Sequence, residues 1–250
     1  LAVAQFTSCP VGFALIPNGE HGTDLLAILA EIAGGRLHLN ELAETRGAFL
    51  SSLFPALSVT RFDAAQIDDY LEASAVPSVV LMNPPFSVMA NVSGRMADAA
   101  YRHVASALAR LAPGGRLVTI TGANFRPEAP TWRDAFVRLQ DRGRVVFTAA
   151  IDGAVFSRHG TSIDTRLTVI DKLPADDPSV FPASPGVAPD VATLIGRIEA
   201  RVSPRLPVSL PKVASSEPAA APKTVRGYLA RAAASRPVAA PASDPEGIEL

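Results

Sequence analysis

Val79-Val80-Leu81-Met82-Asn83-Pro84-Pro85-Phe86 is the stretch on which the reading of the chain turns. Four apolar residues rich in Val and Leu describe a strand buried on both faces. It runs straight into Asn83. Pro84 and Pro85 fix φ and remove two backbone donors, so the strand stops there. A residue that precedes proline is itself pushed into extended geometry, so Asn83 is held. The product is a stiff corner at the carboxyl end of a strand, carrying one amide side chain and one aromatic ring. In open α/β sheets that end of the strands is where ligands bind. The plainer alternative is a strand-ending Pro-Pro turn followed by a buried Phe.

Asn83-Pro84-Pro85-Phe86 after an apolar strand resembles the Asn/Asp-Pro-Pro-aromatic motif of S-adenosylmethionine-dependent methyltransferases that modify amino groups, above all the N6-adenine DNA methyltransferases. The resemblance gives these four residues the catalytic role. Asn83 and a carbonyl of the proline corner bind the two hydrogens of an exocyclic amine, and Phe86 stacks on the base. An enzyme that works on a base must take it out of the duplex into such a pocket. The resemblance covers roughly Leu25 to Lys172. It is nearest to the methylase domain of large bacterial methylase–helicase proteins of the strawberry-notch-like group. It implies S-adenosylmethionine as cofactor, DNA as partner and a helicase-like region following this chain. The same corner occurs in enzymes that methylate a glutamine amide in protein or the bases of RNA. An inactive methyltransferase fold serving as a binding or scaffold module is a further alternative.

Upstream, Val11 to Ile16 reads as a first strand. A loop carrying Gly22 and Thr23 follows, then a helix from Leu25 to about Ala33. Strand, glycine loop and helix are the arrangement that sets backbone amides against a cofactor. Gly22 and Thr23 are therefore candidate cofactor contacts. The family's next glycine is replaced by Asp24, so residues 1–24 read as a degenerate version of the motif. Arg36 to Glu41 alternates as a second strand and ends on Glu41, 19 positions after Gly22. An acid about 20 residues beyond the glycines binds ribose hydroxyls in dinucleotide folds. Its plainer role is to cap the helix Leu42 to Leu53. A third strand, Ser58 to Phe62, ends before Asp63, which resembles the family's acid for the cofactor's adenine amine. Asp is also a favoured N-cap, and one residue can do both.

Downstream, Ser87 to Arg95 is a small, polar loop, and Ala97 to Leu111 a helix with an apolar face. The run Leu111-Ala112-Pro113-Gly114-Gly115-Arg116-Leu117 resembles the helix-to-strand turn of these methyltransferases, with a strand from Arg116 to Ile120. Trp132 to Asp141 is an amphipathic helix in which Trp132 is a packing residue. Val145 to Ile151 and Thr165 to Ile170 are two more strands. The segment Phe156 to Asp164 between them resembles the reversed hairpin that closes the family's sheet. Arg158 on it is a phosphate candidate, with a solvated loop as the alternative. The whole is an α/β doubly wound, mostly parallel seven-stranded sheet with a reversed last strand.

Composition sets the remaining bounds. A 48% apolar fraction suffices for a core, and a net charge of -1 supplies no global field for nucleic acid. A single Cys9 suits the cytoplasm, and His21, His38, His103 and His159 show no metal-ligand spacing. No apolar run is long enough for a membrane span. The methyltransferase domain is read as residues 1–173. Of the 22 prolines, 13 lie from Pro174 onward. Residues 174–250 therefore read as a Pro/Ala-rich linker or tail with one helix near 190–202.

Overall fold

The computed structural model describes residues 2–7, 36–73, 75–84, 98–159 and 162–208, all within one unit, Leu1–Ala214. Their strands form an eight-stranded sheet, one more than expected. The strands are β1 (Ala2–Thr7), β2 (Arg36–Glu41), β3 (Val59–Thr60), β4 (Val79–Asn83), β5 (Arg116–Gly122), β6 (Arg144–Ile151), β7 (Thr165–Asp171) and β8 (Val187–Ala188). Their order in space is β3-β2-β1-β4-β5-β7-β6-β8. From β1 the chain steps outward through β2 and β3, then returns to the other side of β1 for β4 and β5. The join between β1 and β4 is thus a topological switch point, where α/β sheets open a crevice at their carboxyl ends.

The first five strands are mutually parallel where they pair. β7 is antiparallel to both β5 and β6, which is the expected reversed strand. The helices are α1 (Glu44–Leu53), α2 (Ile67–Tyr70), α3 (Ala99–Arg110), α4 (Pro130–Gln140) and α5 (Val191–Arg201). Ala100, Val104, Ala107 and Leu108 recur at helical spacing on α3 and are all buried. They join Val80, Met82, Leu117 and Ile170 of the sheet in the largest apolar cluster. Phe125 packs edge-on against Trp132 and tilted against Phe136 at centroid distances of 4.9 and 4.7 Å, so Trp132 is a packing residue.

The structure departs from the sequence reading in two places. The strand between β2 and β4 is Ala2–Thr7, where none was expected; Val11–Ile16 lies outside the described residues, as do Gly22, Thr23, Asp24 and the expected helix Leu25 to Ala33. Ala2–Thr7 escapes a sequence reading because Gln5 and Thr7 interrupt the apolar run that a central parallel strand normally shows. The second departure concerns the start of the proline-rich segment. β8 pairs with β6, and Ala188 and Leu194 are buried. The Gln140 amide donates to the carbonyls of Pro178 and Val180 at 3.0 and 2.8 Å, and accepts from the Val145 amide at 3.1 Å. Arg116 Nη1 donates to Ser203 O at 3.0 Å. A Cβ on Gly114 would meet Pro207 O at 2.2 Å. The chain therefore stays packed on the sheet through about residue 208, because prolines are compatible with extended backbone whose carbonyls are satisfied by side chains of the domain.

Candidate active site at the switch point

Strand register sets the frame. Thr7 at the end of β1 is level with Glu41 on one side and with Asn83 on the other. With neighbouring strands about 4.8 Å apart, Glu41 and Asn83 stand roughly 10 Å from each other along the carboxyl edge. The short pairing of β2 with β3 brings Asp63 to the same edge, three residues beyond Thr60.

Asn83 is the last residue of β4 and is half-buried. Its Oδ1 is shut off from solvent and has no hydrogen-bond partner among the described residues. A buried acceptor without a partner costs about 1–3 kcal/mol, so such an atom marks a place where a donor is wanted. Pro84 is buried directly behind it. Pro85, Phe86 and the loop Ser87 to Arg95 lie outside the described residues.

Glu41 is fully buried. Its Oε1 accepts from the Ala43 amide and from Arg46 Nη2, both at 2.8 Å, so the carboxyl group is oriented at the mouth of α1. Ala43 is the N-cap residue of α1, which has no side-chain cap, so Glu41 ties down the residue before the helix and does not cap it. Asp63 Oδ1 accepts from the Ala65 amide at 2.9 Å, capping the 3-10 turn Ala64–Gln66. Its side chain is 47% exposed. His103, buried on α3, places Nε2 3.8 Å from the same oxygen. Burial pushes the His103 imidazole below its ordinary range, and the Asp63 carboxylate pulls it back only in part. His38 on β2 is pushed down in the same way, by burial first.

The structure thus brings Glu41, Asp63 and Asn83 to one edge. Arg158 lies on the 3-10 segment Gly153–His159 between β6 and β7, and its side chain is outside the described residues. Among the described residues no group of His, Cys, Asp and Glu could hold a metal ion, and no helix is long and apolar enough to cross a membrane. Sequence reasoning passed over Arg46, which bonds Glu41, and Asn40 and Arg61, which bond the backbone of Phe62 and Leu42 beside the two acids. Asn40 carried a signal, since Asn is disfavoured inside strands and needs a local reason to be there.

No family model and no curated protein matches the chain. Among solved structures it is similar to a Listeria monocytogenes protein assigned to the class I S-adenosylmethionine-dependent methyltransferases. The TM-score is 0.52 at 10% identity, over 79% of this chain and 63% of that one. It is also similar to TrmN of Thermus thermophilus, with a TM-score of 0.45 at 19% identity over 69% of this chain and 43% of that one. A third likeness is to the M protein of the type I restriction enzyme EcoKI, with a TM-score of 0.48 at 15% identity over 70% and 41%. The chain spans 63%, 43% and 41% of the length of these three proteins. With a β1–β4 switch point and β7 reversed between β5 and β6, the fold is that of the class I S-adenosylmethionine-dependent methyltransferases.

Proposed function

We propose that the chain is an S-adenosylmethionine-dependent methyltransferase acting on an exocyclic amine, with adenine N6 of DNA as the substrate. The observation that carries the proposal is Asn83 Oδ1, a buried acceptor without a described partner at the carboxyl end of β4, next to the switch point. An exocyclic amine is a poor nucleophile because its lone pair is delocalised into the ring. Asn83 Oδ1 accepts one N–H of that amine, which draws the lone pair back onto nitrogen and fixes its direction. Pro84 keeps Asn83 extended, so the acceptor is already in place before substrate arrives. Its contribution is chiefly positioning.

The residues on the rest of the edge fit the cofactor. In this reading Glu41 is the acid for the ribose hydroxyls and Asp63, exposed at the edge, the acid for the adenine amine. When bound, S-adenosylmethionine supplies a methyl group activated by a positively charged sulfur. Phe86 is the stacking partner for an extruded base, which favours a nucleobase amine over a protein amide, and the resemblance to N6-adenine DNA methyltransferases points to adenine in DNA. A net charge of -1 requires that DNA be held by local contacts, for which Arg158 is a candidate.

The test is transfer of labelled methyl groups to duplex DNA, to RNA and to protein, followed by identification of the methylated product. N6-methyladenine in DNA is expected. Asn83→Ala should lower the rate at least about 100-fold, the scale of losing one positioning contact, with cofactor affinity nearly unchanged. Equal rates for Asn83→Ala and the parent chain would sink the assignment.

A second reading, an inactive module of the same fold, is favoured by Asp24 standing where the related motif has glycine. Calorimetry with S-adenosylhomocysteine separates the two. Under the inactive reading the parent chain binds weakly and Asp24→Gly restores binding, since only glycine lets backbone approach a ligand unhindered.

A further inference from the structure

The two acids assigned to the adenosine half of the cofactor are tied to each other by a pair of side chains. β3 is only two residues long, and its ladder with β2 ends at the pair Asn40–Thr60. Beyond that point the Asn40 carboxamide takes over the role of a strand. Its Nδ2 donates to Phe62 O at 3.0 Å, and its Oδ1 accepts from the Phe62 amide at 3.0 Å. Oδ1 also accepts from Thr60 Oγ1 at 2.9 Å. Asn40 is 1% exposed, so these bonds run without competition from water. In the reverse direction Arg61 puts both Nε and Nη2 on Leu42 O, at 3.1 and 2.7 Å. The residue before Glu41 therefore grips the residue before Asp63. The residue two before Asp63 grips the residue after Glu41.

We infer that Asn40, seconded by Arg61, is a positioning residue that sets the spacing of Glu41 and Asp63 and so selects adenosine. The inference rests on the cofactor reading above. A staple placed for stability alone could sit anywhere along β2 and β3. This one begins at the point where the backbone ladder fails and ends at the two acids. A ligand held by its ribose at one acid and its exocyclic amine at the other feels any change in their separation at both ends. Loss of the staple should therefore remove both affinity for the adenosine portion and preference for an amine on the base.

Asn40→Asp keeps shape and the Oδ1 acceptor but turns an oxygen toward Phe62 O in place of the N–H. Arg61→Met keeps the apolar stem of an exposed residue and removes both donors. Each is to be assayed at low temperature, after its thermal midpoint shows it folded, for affinity toward S-adenosylhomocysteine, 5′-methylthioadenosine and S-inosylhomocysteine. In Asn40→Asp both adenosine ligands should weaken by the same factor, about tenfold, the size of one lost hydrogen bond of this kind. The adenosyl-to-inosyl preference should fall toward one. Arg61→Met should show the same pattern at about threefold. A folded Asn40→Asp chain with parental affinity and preference would overturn the inference. If Asn40→Asp does not fold, parental affinity and preference in Arg61→Met overturn it. A parent chain that binds none of the three ligands would refute the cofactor reading itself, and this inference with it.

Discussion

The two flanks of the sheet are built differently. On the β5–β7–β6 side, strands of seven and eight residues pair from end to end, interrupted only by a bulge at Val146, and every residue of β7 is buried. Arg116 and Asp171 close the far end of that ladder with two parallel hydrogen bonds, at 2.6 and 3.0 Å. On the β2–β3 side two residues of ladder suffice, and side chains do the rest: Asn40 on Phe62, Arg61 on Leu42, Arg46 on Glu41, Asp63 on the Ala65 amide. Backbone ladders tolerate substitution because every residue carries the same donor and acceptor. Side-chain ties depend on particular residues. The lesson is that stability should be concentrated in one flank and ligand geometry in the other.

The strongest challenge to that division is Arg116→Ala. It leaves Asp171, only 5% exposed, without its fork and should cost about 3 kcal/mol of unfolding free energy. Affinity for S-adenosylhomocysteine should stay at the parental value once the protein is folded. A large change in affinity with little change in the chemical denaturation midpoint would break the comparison.

Asp63 offers a sharper cut within the other flank. Asp63→Ala removes the cap and should cost about 1 kcal/mol. Asp63→Ser retains a capping hydroxyl, so its stability should fall by only a few tenths of a kcal/mol, but the shorter side chain no longer reaches a ligand. Both should lose cofactor affinity to the same extent, read by calorimetry. If affinity follows stability instead, Asp63 is a cap and nothing more.

A graded effect comes from acid. His38 on β2 and His103 on α3, 3.8 Å from Asp63, are both held below the ordinary histidine value of 6.5 in the folded protein, by burial. Below about pH 6.5 the unfolded chain takes up protons that the folded one refuses, so stability falls as pH falls. Amide exchange at Phe62 should therefore accelerate in mild acid before exchange at Val169 does. Simultaneous acceleration at both amides would show that the flanks open as one unit.

The smallest effect is expected on the surface. Arg102 pairs with Asp98 at 2.8 Å, but both side chains are well exposed. Arg102→Ala should change stability by no more than about 0.5 kcal/mol and affinity not at all.

Much of this arrangement was legible in the chain alone, where the signal is local. Four apolar residues ending at Asn83-Pro84-Pro85 specify a buried strand and its stop whatever surrounds them, because proline acts on its own φ and on its predecessor. The alternation into Glu41, the apolar face of α3 and the turn through Gly114, which takes φ of +78°, are of the same kind. Three things were settled only by the tertiary structure. A strand with Gln5 and Thr7 in it became the centre of the sheet because its neighbours β2 and β4 pair with it on both sides. The proline-rich segment through about residue 208 joined the domain because Gln140 and Arg116, far away in sequence, satisfy its carbonyls. Asn40 acquired its role from Phe62, 22 residues on, at the point where a two-residue strand runs out of ladder. In each case the deciding partner lies beyond the reach of any sequence period, since hydrogen-bond satisfaction is settled by whatever the folded chain brings within about 3 Å.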